Sequence, residues 1–248
     1  LVDIDHSLAL ESTMSTAIDS YVKLAFEGFE DAGFQPGATL ATLTEDLIGT
    51  NEVIFSQPTI LTELLNLACH EECHKYATET HPLPPIDAAL FNAGAIRIDD
   101  TLPAGMTITQ YDAIRISPYL NAVLVCNMTC ALLKKTLTIS DAYKSNSQHL
   151  QSYPNITTGD AGEYLVNGKP LIDSSDHWYT VGFLKYLLKG KAPYEFLQPS
   201  VNNTDIFVIA GDLNSDPPTA DVRKSLIHQI ALRYDPSTGD DDGPSSSK

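Results

Sequence analysis

Segments in which apolar residues recur every three to four positions alternate along the chain with shorter runs in which they are contiguous. Residues 5–31 follow the first pattern, with Leu8, Met14, Ile18, Tyr21, Val22, Leu24 and Phe26 near a helical spacing, which predicts a helix. Gly33, Pro36 and Gly37 end it. A strand is expected near Ala38–Leu43, followed by an acidic loop. Thr59–Ala77 is the clearest helix: Pro58 stands just before it, and Ile60, Leu61, Leu64, Leu65 and Leu67 supply its apolar residues. Three prolines between His81 and Pro85 exclude a helix there and predict a rigid connector.

Contiguous apolar runs at Ala88–Phe91 and Ala122–Cys126 predict buried strands, and Thr129 is placed to cap a helix running through Lys135. In Tyr164–Leu171 the string YLVNGKPL sets two short strands about an Asn-Gly turn, which predicts a hairpin. The apolar segment Trp178–Leu188 reads as a further helix, Asp205–Ala210 as a strand, and Asp221–Tyr234 as a final amphipathic helix capped by Thr219 or Asp221. The last fourteen residues, DPSTGDDDGPSSSK, have the acidic, Ser/Gly/Pro-rich composition expected of a disordered tail. No internal repeat is present. This order predicts an α+β (α/β mixed) fold: one compact domain with a mixed β-sheet and packed helices. Residues 1–37 are expected to be a helix and connector from an upstream domain, 38–234 the domain itself, and 235–248 the tail.

Composition narrows the function classes. Of 248 residues 43% are hydrophobic and 19% charged, which suits a globular chain. Acidic residues outnumber basic ones 32 to 15, for a formal charge of −17. A field of that sign repels phosphate backbones and anionic lipid, so no nucleic-acid partner is expected. No apolar run reaches the roughly 18 residues that a membrane span needs. Residue 1 is Leu, which reads as an excised or processed piece with any targeting signal upstream. The four cysteines fall as Cys69/Cys73 and Cys126/Cys130, each pair four apart. In CHEECH (Cys69–His74) helical spacing gives Cys69 and Cys73 one face, and His70 and His74 another. Neither pair resembles a zinc knuckle; buried thiols and a disulfide both remain open.

The chain has no G-x-S-x-G elbow, Walker A loop, H-E-x-x-H or G-x-G-x-x-G string. AGDLN (Ala210–Asn214) is similar to one metal-binding strand end of metallophosphoesterases, but the companion D-x-H and G-N-H-[DE] strings are missing, so a loop turn is the better reading. The informative region is Phe91–Leu137, where Asn92, Gly94, Ile96 and Arg97 precede Gly105, Ile108 and Thr109, and then Pro118, Tyr119 and Asn121. In that order these residues resemble the C-terminal domain of the 5'-nucleotidase family of metallophosphoesterases. The resemblance continues through Val166–Leu197 and spans about residues 38–234.

The residue chemistry suits a ligand site. The guanidinium of Arg97 is a planar fork for carboxylate, phosphate or ribose oxygens; alternatively it pairs with Asp99 or Asp100. Asn92 can bond ligand hydroxyls or close a turn, and Gly94 permits close backbone approach or positive φ. The resemblance implies that Tyr119 stacks on a nucleobase, with Tyr194 as the second aromatic; core packing is the alternative for both. The sequence departs from the family at two places. Ser56 stands where a second phosphate-facing arginine is expected, and GKAPY (Gly190–Tyr194) replaces a Gly-Gly-Asp-Gly-aromatic loop.

The resemblance therefore implies the substrate-recognition domain of a 5'-nucleotidase-type phosphoesterase. Its substrate-binding residues are Asn92, Gly94, Arg97, Tyr119 and Tyr194, with no catalytic or metal-ligating residue in this chain. Two divalent metal ions belong to an N-terminal metallophosphoesterase domain, which is the expected partner, along with a nucleotide or related phosphoester. A structural or interaction module that has lost nucleotide binding is the alternative, and a self-sufficient hydrolase using Cys69–His74 is a third reading. Sequons at Asn127, Asn155 and Asn202, with the resemblance, lean toward an exported protein, whether periplasmic, cell-surface or secreted.

Overall fold

The central strands are buried on both faces along nearly their whole length, and this decides the architecture. The computed structural model describes residues 12–77, 82–171, 177–200, 202–214 and 221–234. The chain opens with α1 (Ser12–Asp31), then β1 (Thr39–Thr42), β2 (Leu47–Ile48), α2 (Asn51–Ile54) and α3 (Ile60–His74). Next come β3 (Ala88–Asn92), β4 (Thr101–Leu102), β5 (Thr107–Thr109), α4 (Gln110–Ile116), β6 (Val123–Thr129) and α5 (Cys130–Ala142). It closes with β7 (Leu150–Gln151), β8 (Ile156–Thr158), β9 (Tyr164–Val166), β10 (Lys169–Pro170), β11 (Trp178–Leu184), β12 (Ile206–Ala210) and α6 (Val222–Tyr234).

Five strands form the main sheet in the order β12-β6-β11-β3-β7. Only the β11–β3 pair is parallel, so the sheet is mixed. On β6, Val123 and Val125 join the core under α3 and α6, whereas Leu124, Cys126 and Met128 join the core under α5. On β11, Val181 and Phe183 face α5, and Leu184 faces α3. Two apolar layers thus sandwich the sheet, the expected result of period-two patterning on a sheet buried on both sides. A Cβ at Gly182 would overlap the sulfur of Cys73, so glycine lets α3 lie close to the sheet.

The predicted single α+β domain matches this architecture. Thr59 caps α3 by accepting from Thr62 N at 3.3 Å while its own amide donates to Thr62 Oγ1 at 2.7 Å. Asp221 does the same for α6 by accepting from Arg223 N at 3.1 Å. The Asn-Gly turn has positive φ at both Asn167 and Gly168, which suits a tight hairpin between β9 and β10. Gly33, at φ +84°, follows α1.

Three expectations need correction. Trp178–Leu188 is no helix: its first seven residues are the central strand β11, paired on one side with β3 and on the other with β6. Alternation of Tyr179, Val181 and Phe183 with Thr180 and Gly182 carried that signal, and two-sided pairing decided it. Helix α5 runs past Lys135 to Ala142, because its second half still buries Thr136, Leu137 and Ser140; the Thr136 and Thr138 hydroxyls donate to the carbonyls of Leu132 and Lys134. Helix α4 was not expected, although Thr109 and Asp112 form a capping box at its start. The expected helix start at 5–11, a Thr219 cap and the 235–248 tail lie outside the described residues.

Candidate functional site

Topology brings four chain segments to one edge of the sheet. Strand β3 ends at Asn92, and the parallel β11 ends on the same side at Leu184. The antiparallel β6 begins there, since Val123 pairs with Leu184. Leu150 of β7 pairs with Asn92, which sets the preceding residues 147–149 beside them. The edge encloses a cleft of ≈ 420 Å³. Asn92, Gly94, Ala95, Arg97 and residues 119–122 form part of its lining, with Ser147, Gln148, Lys185, Tyr186 and Lys189 on the other segments.

Four of the five residues singled out from sequence therefore meet at one place: Asn92, Gly94, Arg97 and Tyr119. The amide of Arg97 donates to Ile116 O at 2.8 Å, while its exposed guanidinium lies 5.8 Å from the centre of the Tyr119 ring. Asp99 and Asp100 are engaged elsewhere: Asp99 Oδ1 accepts from Asn51 N and Asp100 Oδ1 from Thr101 N, both at 2.8 Å. Among the described residues no ion pair holds Arg97. Tyr119 is 53% exposed, which leaves its ring face available.

Asn92 is nearly buried, and its Nδ2 reaches Ser147 O at 3.4 Å. Gly94 donates its amide to the same carbonyl at 2.9 Å. A Cβ on Gly94 would meet Ser147 Cβ at 2.9 Å, so glycine here lets the 146–149 loop close onto the turn after β3. Tyr194 stands apart. It is 1% exposed, does not line the cleft, and donates its hydroxyl to Gln148 O at 2.7 Å. Burial pushes its phenol up from the usual value. Tyr194 thus braces, from behind, a segment whose other side lines the cleft.

Sequence reasoning missed Ser147, Gln148, Lys185, Tyr186 and Lys189. The two lysines bracket Leu187 and Leu188, both buried, so the segment reads as amphipathic without disclosing which polar residue faces a ligand. Among the described residues the cleft carries three cationic side chains, Arg97, Lys185 and Lys189, and no acid, on a chain whose net charge is −17. Ser56 lines a different cavity of ≈ 240 Å³, shared with Asp141, His149 and Tyr164. Its hydroxyl donates to Glu52 O at 3.1 Å.

Within Cys69–His74 the two pairs diverge. Cys69 and Cys73 are buried in the core, whereas His74 stacks edge-on against His70 with ring centres 4.8 Å apart. Burial raises the Cys69 thiol well above its usual range and pushes Cys73 up to about 12. Neither thiol is a ready nucleophile at neutral pH. Among the described residues no three His, Cys, Asp or Glu side chains are grouped to hold a metal ion.

Among the described residues no helix is long and apolar enough to cross a membrane. The three sequons differ in setting. Asn127 lies within β6 and accepts from Thr180 Oγ1 at 3.0 Å. Asn155 donates to Asn167 Oδ1 at 3.3 Å, and Asn202 is exposed.

The profile described as "5'-nucleotidase, C-terminal domain" matches residues 41–198, more than half of the chain. No curated protein matches. Among solved structures, a 5'-nucleotidase precursor from Thermus thermophilus superposes with a TM-score of 0.61 at 15% identity, over 89% of this chain and 40% of that one. The NAD nucleotidase of Haemophilus influenzae gives 0.51 at 16% identity, over 90% of this chain and 39% of that one. A sulfate thiohydrolase of Thermus thermophilus gives 0.50 at 12% identity, over 88% of this chain and 36% of that one. At such identities the likeness establishes the fold, and this chain spans about two fifths of the length of those proteins.

Proposed function

Because the chain belongs to the 5'-nucleotidase C-terminal domain family, we propose that it is the substrate-recognition domain of a phosphoesterase acting on a nucleotide or related phosphoester. One observation carries the reading: Asn92, Arg97 and Tyr119 line a single cleft whose charged side chains are all cationic. Arg97 receives the phosphate or ribose oxygens through its planar fork. Tyr119 offers its ring face to the base, and Asn92 offers a carboxamide to ligand hydroxyls. Cation–π contact with Tyr119 helps hold the guanidinium in place before a ligand arrives. Bond cleavage belongs to a metal-bearing N-terminal domain, so this chain binds and orients substrate and performs no hydrolysis alone. The precursor designation of the Thermus protein supports placement of this protein outside the cytoplasm.

The test is a calorimetric titration of this chain with adenosine 5'-monophosphate, repeated for Arg97→Ala. Loss of a charge-assisted bond costs roughly 1.5–3 kcal/mol, so affinity should fall about ten- to hundred-fold. The melting temperature should hold, because the side chain is exposed and, among the described residues, joins no ion pair. Unchanged affinity with a collapsed melting temperature would give Arg97 a structural role and remove the reading.

A further inference from the structure

The cavity of ≈ 240 Å³ that Ser56 lines is bounded by α5, by residues 149–153 and by the paired strands β8 and β9. It adjoins the cleft across one stretch of chain: Ser147 and Gln148 line the cleft, His149 lines the cavity, and no residue lines both. His149 is the informative side chain. It is buried, and its Nδ1 lies 3.1 Å from Ser140 O and 3.0 Å from Ser140 Oγ. A carbonyl only accepts, so Nδ1 carries the proton and donates. Burial lowers the ring's value from 6.5 and keeps it neutral. Nε2 is then a bare acceptor with no partner among the described residues, on a ring that lines the cavity.

We propose that this cavity is a second binding site, separate from the cleft, for a neutral polyol the size of a monosaccharide. The acceptors in it ask for a ligand rich in donors. Besides His149 Nε2 there is the Asp141 carboxylate, whose Oδ2 accepts from the Tyr164 hydroxyl at 2.6 Å and whose Oδ1 lies 3.2 Å from Lys144 Nζ. Asp141 and Lys144 are the only charged lining residues among those described, and they cancel. The cavity is therefore neutral where the cleft is cationic, and it favours neither phosphate nor an amine. Hydroxyls of Ser56, Ser152 and Thr157 add partners that can donate or accept, and Tyr153 adds an exposed aromatic ring for the C–H face of a sugar. Its volume falls below the roughly 300–1,000 Å³ of pockets for drug-sized ligands, which sets the upper size of the occupant.

The test is an NMR titration of the nitrogen-15-labelled chain with D-glucose, D-galactose and glycerol. At least one hexose should give saturable shifts, with a dissociation constant on the order of 1 mM for so small a ligand. The largest shifts should fall on the His149 ring nitrogens and the amides of residues 149–153. About 0.5 M sodium chloride should leave the affinity unchanged, because a neutral ligand gains nothing from long-range charge. Asp141→Asn should weaken binding about tenfold by turning a charge-assisted acceptor into a neutral one. His149→Phe should abolish it, and if that variant fails to fold, Asp141→Asn, at a half-exposed side chain, carries the test. No saturable shift from any of the three probes overturns the proposal. So do shifts that map outside this cavity or persist undiminished in Asp141→Asn.

Discussion

The hydroxyl of Tyr194 donates to the main-chain carbonyl of Gln148 at 2.7 Å, tying the core beneath α5 to the wall of the cleft. Tyr194→Phe removes that donor and keeps the ring. A net loss of about 0.5–1.5 kcal/mol is expected, which for a chain of this length lowers the melting temperature by about 2–5 °C. Nucleotide affinity should fall less than in Arg97→Ala, because Tyr194 acts through Gln148. Calorimetric unfolding and the same titration check both parts. A large affinity loss without any loss of stability would instead put the phenol in contact with ligand.

Gly182→Ala tests the approach of α3 to the sheet. The new methyl would overlap the Cys73 sulfur in a fully packed layer. Overpacking of this kind costs about 1–3 kcal/mol, so the melting temperature should drop by several degrees. The variant Gly182→Ala/Cys73→Ala should recover part of the loss, because removing the sulfur makes room. Failure of that rescue would show that the contact is not the cause.

Stability should fall in two steps as pH is lowered. Burial holds the imidazoles of His70 and His149 below their ordinary value of 6.5. The unfolded chain therefore takes up protons near that value which the native chain refuses, and stability declines as pH drops below it. Glu71 adds the second step. Burial alone would raise its carboxyl, but hydrogen bonds from His228 at 2.9 Å, Gln229 at 2.7 Å and Ser225 at 2.8 Å outweigh it and lower the value below 4.5. That contribution is present above the ordinary carboxylate range and is lost as pH falls below it. Urea unfolding across both ranges measures the two steps, and Glu71→Gln should flatten the more acidic one. If the Glu71→Gln curve parallels wild type there, the α3–α6 clasp is not its source.

All four cysteines are buried, and burial raises the thiols of Cys69, Cys73 and Cys126. Since the thiolate is the reactive form, the native chain should give almost no colour with Ellman's reagent, and four equivalents once unfolded in denaturant. Rapid labelling of one native thiol would show a local opening of the fold.

Local order in the sequence settled much of this protein. The Thr59 cap with its leucine-rich helix, the contiguous run Ala88–Phe91 and the Asn-Gly turn at Asn167–Gly168 each formed the element their pattern predicted, because capping, burial and turn geometry act over a few residues. The order of weak motifs from Asn92 to Tyr119 was enough to point to the family and to residues that share the cleft. Tertiary structure decided the rest. Trp178–Leu184 became a central strand through partners that lie about 50 and 90 residues away in sequence. Tyr194, which the resemblance set against a ligand, is sealed in the core against Gln148, whereas Tyr186, eight residues earlier and unmarked in the sequence, lines the cleft. That choice depends on which strand ends share an edge of the sheet, a long-range pairing that no short stretch of sequence encodes.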